Sequence, residues 1–429
     1  LLDGMVVYNP FHSIGLFSVF ETDIIRNADI YTGGFSAQYG GRISSVMDIT
    51  TKDGNKKHFS GKLAASTFGA NLLLEGPLLK KKDYSLSYIL SAKNSYLSKT
   101  STSIYSYMNK ELPYDYLDLY GKLTLATDNG SKINIFGLNF TDKVNQYEAI
   151  QNFNWVNRAF GTNFLIIPGT SSALVEGVIA YSDYTMNMNE TTTNQNQMSN
   201  IGGFNVGMSV TNFFGDDRLK YGMEMEGNTT KTSYKINDTI TDYSTEIGLY
   251  AIYKLLYRNV LVEPSLRLSY YASLGDVFLE PRLSAKWNVT KKFRLKLASG
   301  IYSQTFLDTK SDRDIVNLFT GYLTVTPDLN IVDSFRGNPI NSYVQTSNHF
   351  IFGAEYDILR NFNLNVECYY KTMSNLTSIN RDKLYADDQE HIEKPGYLRK
   401  EYTVENGKAY GDDFSLKYDD GRLYGWKIY

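Results

Sequence analysis

The sequence predicts an all-β membrane protein, a large antiparallel transmembrane β-barrel preceded by a small mixed α/β piece. Three observations predict it. Aromatic residues make up 14% of the 429 residues, and the 35 tyrosines outnumber the 23 Phe and 3 Trp together. No stretch reaches the roughly 18 apolar residues that a spanning helix needs. From about residue 58 onward, apolar and polar residues alternate at period two, which gives strands with two unlike faces. In a membrane barrel that alternation dilutes the lipid-facing signal, and aromatic residues gather in belts at both interfaces.

Composition excludes several other classes. The 43 Lys+Arg against 46 Asp+Glu leave a net charge of -3, which argues against a nucleic-acid partner, since phosphate binding needs a basic excess. One cysteine, Cys368, rules out a disulfide framework and a Cys-based zinc site. A hydrophobic fraction of 42% is too high for a disordered chain, and a mean hydropathy of -0.33 is too low for a helical membrane protein. A propeller needs a blade repeat of about 40–50 residues, and none is present. The strand read near Ser171 to Met188 exceeds the usual sandwich strand of about 5–6 residues.

Along the chain, Asp3-Gly4 predicts a tight turn between apolar runs, and Asn9-Pro10 a break. The apolar stretch over residues 14–20 leads to a cap at Thr22-Asp23. A short helical turn is expected over residues 24–27, a strand over 28–31, a glycine-rich segment over 33–42 and a strand over 45–51. Residues 52–55 close this unit. Beyond it, residues 117–125, 133–140, 293–297 and 364–369 alternate strictly, and turn signals fall at 128–130, 215–217, 288–292, 359–361 and 419–421. The polar runs 188–200, 307–341 and 381–394 read as long loops. Short turns at one end and long loops at the other are the pattern of an outer-membrane barrel, and about 16 strands of about 9–11 residues fit the length.

The glycine-rich unit adds a resemblance. Ile25-Arg26-Asn27-Ala28-Asp29-Ile30-Tyr31-Thr32-Gly33-Gly34-Phe35-Ser36-Ala37-Gln38-Tyr39-Gly40-Gly41-Arg42, followed by Val46-Met47-Asp48-Ile49-Thr50-Thr51-Lys52, closely resembles the end of the plug domain of TonB-dependent outer-membrane transporters. The opening Leu1-Leu2-Asp3-Gly4, with Tyr8-Asn9-Pro10-Phe11, is similar to the preceding plug segment of the Bacteroidota branch. Glu280-Pro281-Arg282-Leu283 and residues 347–356 resemble the family's mid-barrel and late-barrel strands.

The resemblance implies a C-terminal part of a plug over residues 1–56 and a transmembrane barrel over 57–429. Family barrels have about 22 strands around a plugged lumen. The remaining length fits roughly 16, so the chain reads as a fragment truncated at its C-terminus, without signal peptide, TonB box, first half of the plug or last strands. The implied function is active import of a scarce nutrient across the Gram-negative outer membrane, the plug being displaced by TonB with ExbB and ExbD from the proton-motive force. Implied partners are that complex, the outer-membrane lipids and an extracellular ligand. Tyr31 to Ser36 stand where transporters paired with a starch-utilisation-type surface lipoprotein carry Lys-Asp-Ala-Ser, which weighs against such a lid. A second reading is a non-transporting receptor-like barrel that serves as a structural component of a cell-surface complex.

Within the plug motif, Gly33, Gly34, Ser36, Tyr39, Gly40, Gly41 and Arg42 carry the resemblance. The glycines read as architecture for positive φ and tight turns. A phosphate loop needs a Gly-Lys-Ser/Thr ending, and Gly41-Arg42-Ile43 lacks it. In the family, plug arginines meet barrel glutamates, which makes Arg42 with Glu263 or Glu280 a candidate latch. The other reading of Arg42 is contact with backbone carbonyls. His12, His58, His349 and His391 are read as solvated or interfacial, with no metal-ligand spacing. The acidic doublets 216–217, 387–388, 412–413 and 419–420 fit surface turns, or loop calcium. Tyr270-Tyr271 and Tyr369-Tyr370 fit an aromatic girdle. No Ser-His-Asp set or spaced carboxylate pair exists, so no enzyme and no cofactor are expected, and substrate-binding residues stay unassigned.

Overall fold

The computed structural model describes all residues except 13, 14, 16, 106, 108–110, 148–149, 170, 191–194, 236–237, 309–320, 327–328, 336, 360, 419–420, 424–425 and 429. The N-terminal segment holds two hairpins, β1 (Phe11–His12) with β2 (Phe17–Ser18) and β3 (Ile25–Tyr31) with β4 (Val46–Thr51). The helical turn expected over 24–27 lies earlier, as a 3-10 turn over Thr22–Ile24. The Glu21 carboxylate caps it by accepting from the Asp23 N–H, and β3 begins at once with Ile25. Residues 14 and 16 of the apolar stretch lie outside the described residues.

The alternating part of the chain forms one antiparallel meander. Its strands are β5 (Ser60–Ala65), β6 (Gly69–Lys80), β7 (Tyr84–Ser95), β8 (Tyr114–Thr127), β9 (Lys132–Tyr147), β10 (Ile150–Ile166), β11 (Ala173–Glu190), β12 (Gln195–Phe214), β13 (Asp217–Lys235), β14 (Asp238–Tyr257), β15 (Val260–Tyr271), β16 (Asp276–Asn288) and β17 (Phe293–Gln304). Two small hairpins follow, β18 (Phe306–Asp308) with β19 (Tyr322–Thr324) and β20 (Ser334–Phe335) with β21 (Asn338–Pro339). The sheet resumes with β22 (Gln345–Leu359), β23 (Phe362–Ile379) and β24 (Tyr402–Tyr418), while β25 (Gly421–Leu423) and β26 (Trp426–Ile428) pair apart from it. The sheet has 16 strands, with β5 and β24 as its edges. Helix α1 (Leu97–Ile104) follows β7, and a single turn, α2 (Gly396–Arg399), precedes β24.

The turns read from Asn, Asp and Gly fall between strands as expected: 128–131, 215–216 and 289–292 join neighbours at one end of the sheet, and Asn361 precedes β23 at the same end, residue 360 lying outside the described residues. Residues 419–420 of the last turn lie outside the described residues. The long connections 96–113, 305–344 and 380–401 all leave from the opposite end. Residues 188–200, expected as a loop, instead form the arms of the β11–β12 hairpin in continuous register, apart from the undescribed 191–194. Amide and hydroxyl side chains mask the alternation there, yet Met186, Met188 and Ser199 still point into the core. The loop expected over residues 307–341 is the connection between β17 and β22, and part of it is packed rather than solvated. Leu307, Leu323, Val325, Ile331 and Val332 pack with Tyr402 and Val404 in a buried cluster. Residues 309–320, 327–328 and 336 of that stretch lie outside the described residues.

On the outer face, Leu123, Ile135, Phe160, Met208, Leu268 and Leu279 are exposed at alternate positions, which is the apolar belt a bilayer covers. Aromatic contacts Phe293–Tyr356 and Phe362–Tyr418 lie at the short-turn end of that belt. Of the paired tyrosines, only one of each can join it, because successive side chains point to opposite faces. Tyr270 is 40% exposed, whereas Tyr271 is 2% exposed and turned inward. The sheet wraps round residues 1–56: Leu2, Met5, Val19, Ile24 and Ile49 share one core with Ile89, Phe136, Trp155 and Tyr184 of the wall. Phe35, Ile43 and Val46 share another with Tyr302 on the opposite side.

Candidate functional site

The site is the interface between the inner segment and the wall, because charged groups are gathered there. On β8 four alternate residues face inward: Tyr116, Asp118, Tyr120 and Lys122. Lys122 Nζ donates to the Thr51 hydroxyl (3.0 Å) and carbonyl (3.3 Å) and lies 3.5 Å from Asp3 and 3.7 Å from Asp53. The Tyr120 hydroxyl donates to Asp3 Oδ2 at 2.6 Å, and Asp3 Oδ1 accepts from the Thr51 N–H at 3.0 Å. Higher on the strand, Asp118 takes His12 Nε2 at 2.8 Å, while Asp142 of β9 lies 3.4 Å from His12 Nδ1. A buried charge needs such partners, since an unpaired one is costly to desolvate.

The far wall grips the glycine-rich loop with its own arginines. Arg282 Nη1 donates to the carbonyls of Ser36 (2.7 Å), Tyr39 (2.9 Å) and Phe35 (3.3 Å), and Nη2 pairs with Glu280 at 2.6 Å. Its guanidinium lies 4.2 Å from the Tyr302 ring centroid. Arg267 pairs with Glu246 (3.0 Å) and Glu224 (3.2 Å) and reaches the Ala37 carbonyl. His349 Nε2 donates to the Ile43 carbonyl (2.9 Å), and Nδ1 accepts from the Gly34 N–H (3.4 Å), a bonding pattern that suits the neutral Nε2–H tautomer.

Of the residues singled out in the sequence, those of the glycine-rich segment and Glu280 fall within this interface, with different partners from those expected. Arg42 Nη2 lies 3.7 Å from Glu226, its Nη1 donates to the Gly41 carbonyl, and its guanidinium sits over Phe306. Burial opposes its charge, but Glu226, Tyr8, Glu246 and Glu224 outweigh burial and raise its pKa. The structure does not bring Arg42 to Glu263 or Glu280. Glu263 sits near the short-turn end of β15, facing Arg218 at 3.9 Å, and Glu280 is taken by Arg282, two residues along the same inward face. Arg42 thus meets the neighbouring Gly41 carbonyl and a glutamate other than the two expected, and Glu280 is buried rather than solvated. The Tyr39 hydroxyl donates to Asp48 at 2.7 Å, and burial together with that carboxylate raises its pKa.

Two glycines of this loop stand where a side chain would collide with the wall. At Gly34, φ is +63° and a Cβ would stand 2.6 Å from Ala298 of the wall. At Gly40, a Cβ would stand 1.9 Å from the Arg267 guanidinium. Gly33 likewise approaches Ile351, and Gly41 approaches Glu246. Of the histidines, His12 and His349 are buried between segment and wall, His58 is exposed beside Asn55, and His391 pairs with Asp388. Cys368 is exposed on the outer face of β23.

The sequence reading missed Lys122, Asp118, Arg267, Arg282 and His12 as contacts. A signal existed: Asp118, Lys122 and Arg267 alternate with outward leucines, so in a membrane strand they must face the lumen. Two cavities flank the contacts. One of about 290 Å³ is lined by Tyr8, Arg42, Glu224, Glu226 and Phe306. The other, of about 380 Å³, is lined by Asp48, Lys122, Glu176 and Lys220. Tyr39, Asn205 and Glu224 border both.

The same fold is found in solved structures. The siderophore receptor PirA from Pseudomonas aeruginosa superposes with a TM-score of 0.68 over 97% of this chain and 73% of its own, at 14% identity. The FrpB iron transporter from Neisseria meningitidis gives 0.69 over 98% and 69%, at 12% identity. The Serratia marcescens hemophore receptor HasR, solved with its hemophore HasA and heme, gives 0.68 over 98% and 71%, at 13% identity. The fold is that of the TonB-dependent outer-membrane receptors. By sequence alone, the chain matches no protein-family profile and no curated protein. In outer-membrane barrels the short turns lie at the periplasmic end and the long connections at the outer one.

Proposed function

We propose that this chain is the plug and wall of an active importer in the outer membrane of a Gram-negative cell. A scarce nutrient binds at the long-loop end, and a TonB-type partner draws the plug from the short-turn end, powered by the proton-motive force. The observation that carries this reading is how the plug is joined to the wall. Among the described residues its strands β1 to β4 form their own sheets and add none to the wall sheet, so plug and wall meet there through side chains and separable polar contacts. Such contacts seal a pore yet part without tearing a backbone ladder. The fold neighbours are named as siderophore, iron and hemophore receptors, which supports a bulky, scarce cargo.

Arg267, Arg282 and Arg42 are the latch in this reading, and the two cavities mark the side on which a passage opens. Mass spectrometry of the protein purified from its native outer membrane identifies the retained compound. Uptake of that compound, radiolabelled, is then measured in cells with and without TonB. Accumulation that depends on TonB is the expected result, and accumulation that ignores it sinks active import.

A further inference from the structure

His12 occupies an environment that the latch does not explain. It lies on β1, in the hairpin nearest the long-loop end of the plug, and has 0% exposure. Its ring is sandwiched between Tyr116 (centroids 4.5 Å apart, planes 8° apart) and Trp155 (5.0 Å, 7°). Both nitrogens face carboxylates: Nε2 is 2.8 Å from either oxygen of Asp118, and Nδ1 is 3.4 Å from Asp142.

The charges that face it come from every packed element. β7 contributes Lys93, which donates to the Ser18 carbonyl at 2.6 Å and lies 5.3 Å from the Tyr116 ring. β8 contributes Tyr116 and Asp118, β9 contributes Asp142, and β10 contributes the uncharged Trp155. From the plug itself, Glu21 acts on Tyr116. Asp118, Asp142 and Glu21 against Lys93 leave the surroundings of His12 negative, which favours an imidazolium there over a neutral ring. The parallel stacking suits a cation as well, since ring faces attract positive charge.

We propose that His12 is a protonated pin that fastens the outer hairpin of the plug to β8 and β9, and that withdrawing this hairpin releases its proton to water. The inference rests on residues 1–56 being a movable plug. Burial opposes the charge on His12, but the hydrogen bond to Asp118 and the nearby Asp142 carboxylate outweigh it, and the pKa is raised. The sign follows from linkage. The docked ring holds its proton more tightly than the free one, so the pin is at full strength below the free histidine value of about 6.5. It is lost as pH rises through the docked pKa. Above that free value, a withdrawn hairpin sheds a proton that the docked hairpin keeps.

Trp155 reports on the pin directly, because an imidazolium stacked on an indole quenches its fluorescence. In the protein carrying Trp287→Phe and Trp426→Phe, emission is expected to rise with pH, with a midpoint above about 6.5. Asp142→Asn is expected to lower that midpoint, and His12→Gln to abolish the transition. A transition that persists in His12→Gln, or a midpoint at or below the free value, overturns the proposal. Should His12→Gln fail to fold, the direction of the Asp142→Asn shift decides alone. A second readout is thiol labelling of Val19→Cys in a Cys368→Ala background, corrected for thiolate fraction. Val19 is 1% exposed, and its labelling is expected to accelerate above the same midpoint. These measurements use the resting protein, so they stand or fall separately from uptake.

Discussion

Arg282 shows how one side chain can join two bodies. Its guanidinium satisfies three plug carbonyls while its other nitrogen neutralises Glu280, which is fully buried. Arg282→Ala removes the cation and leaves the carboxylate behind, at an expected cost of about 3–5 kcal/mol. Chemical denaturation in detergent checks this, and adding Glu280→Gln to the same variant is expected to recover part of the loss. Gly40→Ala tests the neighbouring contact. The new methyl displaces Arg267 from Glu224 and Glu246, so limited proteolysis is expected to cut the plug faster than in the parent; an unchanged rate argues that the arginine moves freely. At this scale the sequence was half legible. Period-two position tells that Arg267 faces inward, but which plug carbonyl or glutamate it meets depends on height along the strand. The expected pairing of Arg42 with Glu263 missed for that reason.

β8 divides its labour by parity. Its even residues from Tyr116 to Lys122 hold the plug, and its odd residues from Leu117 to Leu125 include four exposed leucines, with Gly121 between them. Leu123→Arg, on the lipid face, is expected to destabilise the barrel by about 2–4 kcal/mol if it lies near the bilayer midplane. Urea-driven unfolding into and out of vesicles measures it, and a cost near zero contradicts the assignment of faces. Hairpin turns marked by Asn, Asp and Gly were readable to within a residue or two, because the chain must reverse there whatever the surroundings. The β11–β12 arms were not, because Asn, Thr and Gln beyond the apolar belt pair across strands without leaving an alternating trace.

For the whole molecule, the plug is held at different heights. Lys122 with Asp3 and Asp53 lies towards the short-turn end, where Lys132 also meets Asp53 at 3.2 Å, and His12 lies towards the long-loop end. A pull from the short-turn side loads the lysine group first and the histidine last. In single-molecule pulling, Lys122→Met is expected to lower an early force peak and spare the late one, whereas His12→Gln does the reverse. The same peak falling in both variants argues for all-or-none release. At this scale the sixteen-strand meander and its long and short ends were legible from alternation and turn spacing. That the N-terminal residues sit inside the sheet was not; that expectation came from the resemblance of the glycine-rich unit, since no pattern within one strand tells what its lumen contains.

The parity of β8 also makes it a beam between two media. Lateral pressure on its leucines and leverage on the plug act on a single backbone, so strand tilt transmits one to the other. A bilayer thinner than the apolar belt tilts or strains such a strand at a modest cost per ångström of mismatch. Lipid chain length thereby becomes a control on plug retention, without touching any residue of the lumen. Reconstitution in lipids of graded chain length, read by the fluorescence of Trp155, is expected to move the pH midpoint of the hairpin, and a midpoint indifferent to thickness shows the wall to be too stiff to act as a beam.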